Sequence, residues 1–346
     1  MSQSIYKYGE DITWSLPFAF EYDMVWGAIY KHMKTFGIDL PRINAHGCPN
    51  CLWTGGRIAS IRQQLDEPTL RRYFNYHSEI NSNITFTFTC TALEEHELND
   101  AYCNYLLDIG AEYGAHFIVF DDRLKDHIRK KHPDAYVVSS IIKPTFRYQG
   151  PRRVEDPTPE GEAAYYNELL KEYDLVVVRP EFSKYVLKNN PDLIDDLSRI
   201  EVLINQQCIC DCPISPDHYK FLEASRKSAY LTKDEGGVVQ CLKHTIRRPD
   251  HLVKTLPHTS ETINKLVQSG VKHLKLRGRS DYFGVTRLGL IIYPQMFNID
   301  GDYNLIMFDI ARDIALNELH YFDNNIMKLN LNQYPDEYGR TTPFVR

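Results

Sequence analysis

Cys208, Cys210 and Cys212 alternate through a five-residue run, with Cys241 downstream of them. A second pair, Cys48 and Cys51, forms C-x-x-C, while Cys90 and Cys103 stand alone. Closely spaced thiols hold zinc or iron–sulfur clusters as thiolates, or exchange disulfides. In an extended chain, alternate residues lie about 6.6 Å apart on one face. The sulfurs of a tetrahedral zinc–thiolate centre lie only about 3.8 Å apart, given bonds of about 2.3 Å. The 208–212 run must therefore turn to grip one zinc, or its sulfurs must hold something larger, such as an iron–sulfur cluster. Pro213 and Pro216 fit a chain that has left its strand and is turning. Cys241 is the candidate fourth ligand and His244 the alternative. The competing reading is a set of buried apolar thiols. That reading is preferred for Cys90 and for Cys103, which falls within an expected amphipathic helix. Cys48 and Cys51 are half a zinc site, or further ligands supplied beside His46.

The chain has 346 residues and a formal net charge of -6, which argues against a broad basic face for nucleic acid. No apolar run approaches the roughly 18 residues of a spanning helix, so no membrane partner is expected. The N-terminus has neither a basic n-region nor an apolar h-region, and eight cysteines in this length are too sparse for a disulfide scaffold. A reducing cytoplasm is the expected compartment, which turns the cysteines toward metal or redox work.

The elements that must position these thiols alternate. Strands are expected at 42–45, 83–90, 116–120, 135–140, 174–178, 200–204 and 271–276, rich in β-branched and aromatic residues. Helices are expected at 98–113, 124–131, 163–173, 184–197, 260–269 and 303–322. Apolar strands alternating with helices imply a parallel sheet. The count favours an α/β fold: a (β/α) TIM-like barrel with an irregular or missing eighth unit, ahead of a doubly wound sheet. Neither phosphate-binding glycine fingerprint, G-x-G-x-x-G or G-x-x-x-x-G-K-[ST], is present. The expected organisation is an aromatic, partly helical segment over 1–40, a barrel over 41–300 with its metal site at 208–244, and a C-terminal helix and tail over 301–346.

Ligands of such folds bind at the carboxyl ends of the strands. There the sequence places His46, Asp121, Arg179, Glu181, Cys208, Arg277 and Arg279. Polar residues also end strands merely because solvent is there. Read as a site, Arg179, Arg277 and Arg279 would grip an anionic substrate. Asp121 or Glu181 would move a proton.

Two segments carry a resemblance. IEVLINQQC, ending at Cys208, resembles the cysteine-bearing strand end of the peptidase U-thirty-two family, and GVKHLKLRGR, ending at Arg279, resembles that family's G-V-x-x-L-K-I-E-G-R strand. Arg277 stands where the family strand has Glu, and the cysteine spacing is compressed. The resemblance implies a barrel with a cysteine-ligated [4Fe-4S] cluster on Cys208, Cys212 and Cys241, with Cys210 fourth. It implies an oxygen-independent hydroxylase-like activity on a small molecule or nucleobase. A second resemblance, to the zinc site of tRNA-guanine transglycosylases, would make His244 a ligand and zinc the cofactor. A non-catalytic barrel with a structural zinc clip is the third possibility, and a partner protein or a homodimer is compatible with each.

Overall fold

The computed structural model describes residues 6–17, 19–20, 34–35, 37, 39–55, 64–150, 153–206, 210–227, 258–276 and 296. Eight parallel strands close into a barrel in chain order. They are β1 (Thr13–Pro17), β2 (Ile43–Gly47), β3 (Ser82–Phe88), β4 (His116–Val119), β5 (Tyr136–Ser139), β6 (Leu175–Val178), β7 (Ile200–Leu203) and β8 (His273–Lys275). Closure is made by β1, which pairs with β2 on one side and β8 on the other. The eighth unit is therefore present, and it is the first strand of the chain. Its five residues, TWSLP, alternate too briefly to stand out within an aromatic segment, so the barrel begins at Thr13 rather than at residue 41.

Helices follow the strands: α1 (Glu67–Glu79), α2 (Ala101–Glu112), α3 (Asp122–Lys131), α4 (Ile142–Tyr148), α5 (Pro159–Glu172), α6 (Ser215–Lys227) and α7 (Ser260–Gln268). Their starts are written in the sequence. Asp66, Asp100, Thr158 and Thr259 each accept a first-turn backbone N–H, satisfying one of the helix's free donors. The stretch expected as a helix over 184–197 is instead a π-turn (Phe182–Leu187) and a short 3₁₀ turn (Pro191–Leu193). Pro191 has no N–H to continue a helical ladder. The segment 303–322 lies outside the described residues.

Strand parity sorts the core. Trp14, Ile43, Phe86, Phe117, Val176 and Leu274 face the helices in the main apolar core. The other parity fills the lumen, which has two unlike halves. Ile118, Val138, Leu175 and Val177 form a separate aliphatic plug on β4 to β6. Across β7, β8 and β1, Glu201 accepts from Lys275 Nζ at 2.7 Å and from Ser15 Oγ. Burial works against that carboxylate's charge, but Lys275 and Ser15 hold its pKa below the usual value.

Candidate functional site at the barrel mouth

The carboxyl ends of β6 and β7 bring together residues from three segments. After β7 the chain turns at Asp211, a non-glycine residue with φ of 49°, a conformation that Asp tolerates better than most side chains. From Cys210 to Cys212 the chain is thus turned rather than extended. Glu181, Cys210 and Asp211 each offer one ligand atom, and these atoms lie within 4.8 Å of one another. This is the one such group of three among the described residues.

Glu181 and Arg179 form the buried floor of this cluster. Arg179 sits just beyond β6 and is 2% exposed. Its Nε and Nη2 donate to the two carboxylate oxygens of Glu162, in the first turn of α5, at 2.8 and 3.0 Å. That bidentate fork fixes the guanidinium plane. Tyr166 donates to the same carboxylate at 2.8 Å. The third nitrogen, Nη1, has no hydrogen-bond partner; Glu181 Oε2 stands 3.8 Å away and Asp211 Oδ1 3.7 Å away. Glu181 Oε1 accepts from Gln149 Nε2 at 2.8 Å and from the Asp211 N–H at 3.1 Å, while Oε2 is buried without a hydrogen bond. One oxygen and one nitrogen of opposite charge are thus held ready at the foot of the Cys210–Asp211 turn.

Electrostatics at the cluster follow burial. Burial raises the Glu181 pKa, with the nearby Arg179 charge opposing it. Burial, then the charges of Asp211 and Glu181, push the Cys210 thiol up to about 12. For Arg179 burial opposes the charge, but the Glu162 carboxylate outweighs it and the guanidinium stays protonated.

The residues singled out by sequence are not gathered into one place. Arg179, Glu181, Cys210 and the buried Cys212 belong to this region. Asp121 does not: it caps α3 by accepting from Arg123 N at 2.9 Å, and it takes Arg123 Nη2 at 2.7 Å. Its carboxylate caps the helix start and pairs with Arg123. Cys48 and Cys51 follow β2 and lie in contact with each other at 3.7 Å, outside the cluster. Cys208, Cys241, His244, Arg277 and Arg279 lie outside the described residues. Cys90 is buried but polar in its contacts, donating from Sγ to Glu223 of α6 at 2.7 Å. Glu223 also accepts from Ala92 N at 3.0 Å, so the helix that follows the cysteine turn is tied across the mouth to the end of β3. Asp211, Glu162 and Gln149 were missed by sequence reasoning. Only Asp211 carried a signal, as the residue between two of the clustered cysteines.

The solved structures similar to the chain include the following two. One is the structure of the U32 peptidase Mk0906, at 11% identity and a TM-score of 0.43, over 77% of this chain and 91% of that one. The other is the carboxyl transferase domain of Rhizobium etli pyruvate carboxylase with 3-bromopyruvate, at 10% identity and a TM-score of 0.38, over 89% of this chain and 48% of that one. No family model matches the chain, and neither does any curated protein. Among the described residues no helix is long and apolar enough to cross a membrane.

Proposed function

We propose that this chain is a metal-dependent barrel enzyme whose centre is built on Cys210, Glu181 and Asp211, and that it acts on a small anionic substrate. The observation that carries the reading is the pair of orphaned, oppositely charged atoms, Glu181 Oε2 and Arg179 Nη1, buried at the foot of the cysteine turn. Both charges are ion-paired, but each keeps one buried atom without a hydrogen bond, as expected where a bound ion or ligand supplies the missing partner.

One thiol and two carboxylates are a mixed, borderline donor set that fits a single Zn²⁺ or Fe²⁺. Bound there, such an ion would supply Lewis-acid activation of substrate or water. The chain's own residues do the remaining work. Gln149 and the Asp211 N–H fix the orientation of Glu181. Glu162 pins Arg179 so that only Nη1 is left to meet an anionic group. Burial favours the protonated form of Glu181, so its carboxyl must release a proton when a cation binds there.

A [4Fe-4S] cluster with hydroxylase-like chemistry is the second reading. It takes four thiolates, and Cys210 with the nearby buried Cys212 supports it. Cys208 and Cys241 would have to complete the set. Metal and acid-labile sulfide analysis of anaerobically purified protein separates the two. Zinc or iron near one per chain without sulfide, lost in Cys210→Ser, is the expected result. Iron with matching sulfide would replace the first reading with the second, and no bound metal at all would remove both.

A further inference from the structure

The helix after the cysteine turn is anchored unlike its neighbours. α6 starts beyond β7, yet its Glu223 is bound at the end of β3, four strands away around the closed ring of eight and so on the opposite side of the mouth. A helix of 13 residues, about 20 Å long, covers that span. α5 is held by an apolar face of Ala163, Tyr166, Leu169 and Leu170. Among the described side chains of α6, by contrast, only Glu223 is buried, at 1% exposed. The ring contact of α6 with α4, Tyr219 to Phe146, joins two half-buried residues with centroids 6.4 Å apart. Over the mouth, α6 is therefore kept down by a charge rather than by an apolar face.

What receives that charge is a complete carboxylate site. Glu223 Oε1 accepts from Ala92 N at 3.0 Å and from Cys90 Sγ at 2.7 Å, while Oε2 accepts from Thr91 N and Thr91 Oγ1. Successive backbone N–H groups converging on one point form a concavity that binds anions. A planar carboxylate fits this one, because each of its oxygens takes one N–H and one side-chain donor. All the donors belong to the loop that follows β3, on the barrel face where ligands bind. None of them requires the acceptor to be part of α6.

We infer that residues 90–92 form a subsite for the carboxylate of a small ligand, and that α6 is a lid latched there by Glu223, which holds the subsite until a ligand's carboxylate replaces it. A latch made of the ligand's own functional group opens when that ligand arrives. The donors then exchange one carboxylate for another and are never left buried without an acceptor. The latch needs no metal, and its readouts are separate from the metal content that tests the proposed function.

Acetate is the probe, against chloride at equal ionic strength, with hydrogen exchange followed by mass spectrometry. In Glu223→Ala the α6 amides should exchange faster than in the natural chain, and acetate should slow exchange over 89–93 saturably. In the natural chain concentrated acetate should loosen the lid: exchange over α6 should rise at least about threefold by mass action, while 89–93 stays protected. A folded Glu223→Ala in which acetate changes nothing over 89–93 overturns the subsite. A natural chain whose α6 exchange is the same in acetate and chloride overturns the lid. Should Glu223→Ala fail to fold, Glu223→Gln takes its place, since it keeps the shape of the side chain while turning an NH₂ group toward two of the donors. Failure of both variants to fold would make Glu223 scaffold and overturn the inference.

Discussion

The barrel buries charge in two places, the lumen and the mouth, and treats it in opposite ways. In the lumen both oxygens of Glu201 are used, one by Lys275 and one by Ser15. The lumen atoms left without partners are on neutral groups, among them Asn44 Oδ1, Thr85 Oγ1 and His116 Nδ1. At the mouth Glu162 closes two nitrogens of Arg179, but Arg179 Nη1 and Glu181 Oε2 are left open. A neutral orphan costs about 1–3 kcal/mol and a charged one more. A closed ion pair is scaffold, whereas an open one within reach of a thiol and a second carboxylate has the character of a binding site. Three perturbations test that difference.

The largest effect is expected from opening the closed pair. Lys275→Met leaves Glu201 buried with only Ser15 as partner. Removing one member of a buried pair costs about 3–5 kcal/mol. The denaturant midpoint should fall accordingly while the metal content of the folded fraction stays unchanged. A drop in metal content alone, with stability preserved, would make the lumen part of the site and erase the contrast.

The second effect is on acid stability. Burial, reinforced by the charges of Arg42 and His273, lowers the His116 pKa from 6.5 to about 4, and burial also lowers that of His273. Between pH 6.5 and about 4 the unfolded chain therefore binds protons that the folded chain refuses. Stability contributed by these groups is complete above their unfolded value and falls as pH drops through that window. Each tenfold difference in proton affinity between the two states is worth about 1.4 kcal/mol, so His116 alone should remove on the order of 2–3 kcal/mol by pH 4. Denaturation midpoints measured across this range should slope in the natural chain and flatten in His116→Gln. Equal slopes would mean that the lumen histidines do not stay neutral.

The barrel was legible because its strands are buried on both faces and read as apolar runs between capped helices. Phe86, Phe117 and Val176 advertise themselves to the helix layer. The strand that escaped, Thr13–Pro17, offers only Trp14 and Leu16 to that layer, and its inward residues Thr13 and Ser15 belong to the polar half of the lumen. The cysteine turn was legible as a turn because alternate sulfurs on a strand are too far apart. Which acids would join it was not. Asp121 and Glu181 both follow apolar strands, and nothing local separates a cap from a ligand. What separates them is a distant residue: Arg123 claims Asp121, while Arg179, already held by Glu162 seventeen positions earlier, leaves Glu181 half open.

The smallest structural effect, and the sharpest functional one, is expected at Glu181. In Glu181→Gln the amide oxygen can keep the hydrogen bonds from Gln149 Nε2 and the Asp211 N–H. The change removes a carboxyl whose ionised form burial already disfavours, so stability should move by no more than about 1 kcal/mol. An amide is a far weaker ligand for a divalent ion than a carboxylate. Zn²⁺ affinity measured by calorimetry should therefore fall at least about tenfold, or about 1.4 kcal/mol. A variant that binds Zn²⁺ as tightly as the natural chain would show that the open oxygen is not a ligand. One that loses several kcal/mol of stability would show that Glu181, like Glu201, is scaffold. Either outcome would collapse the distinction between an open pair at the mouth and a closed pair in the lumen: the first because the open oxygen binds nothing, the second because both pairs would be holding the barrel together.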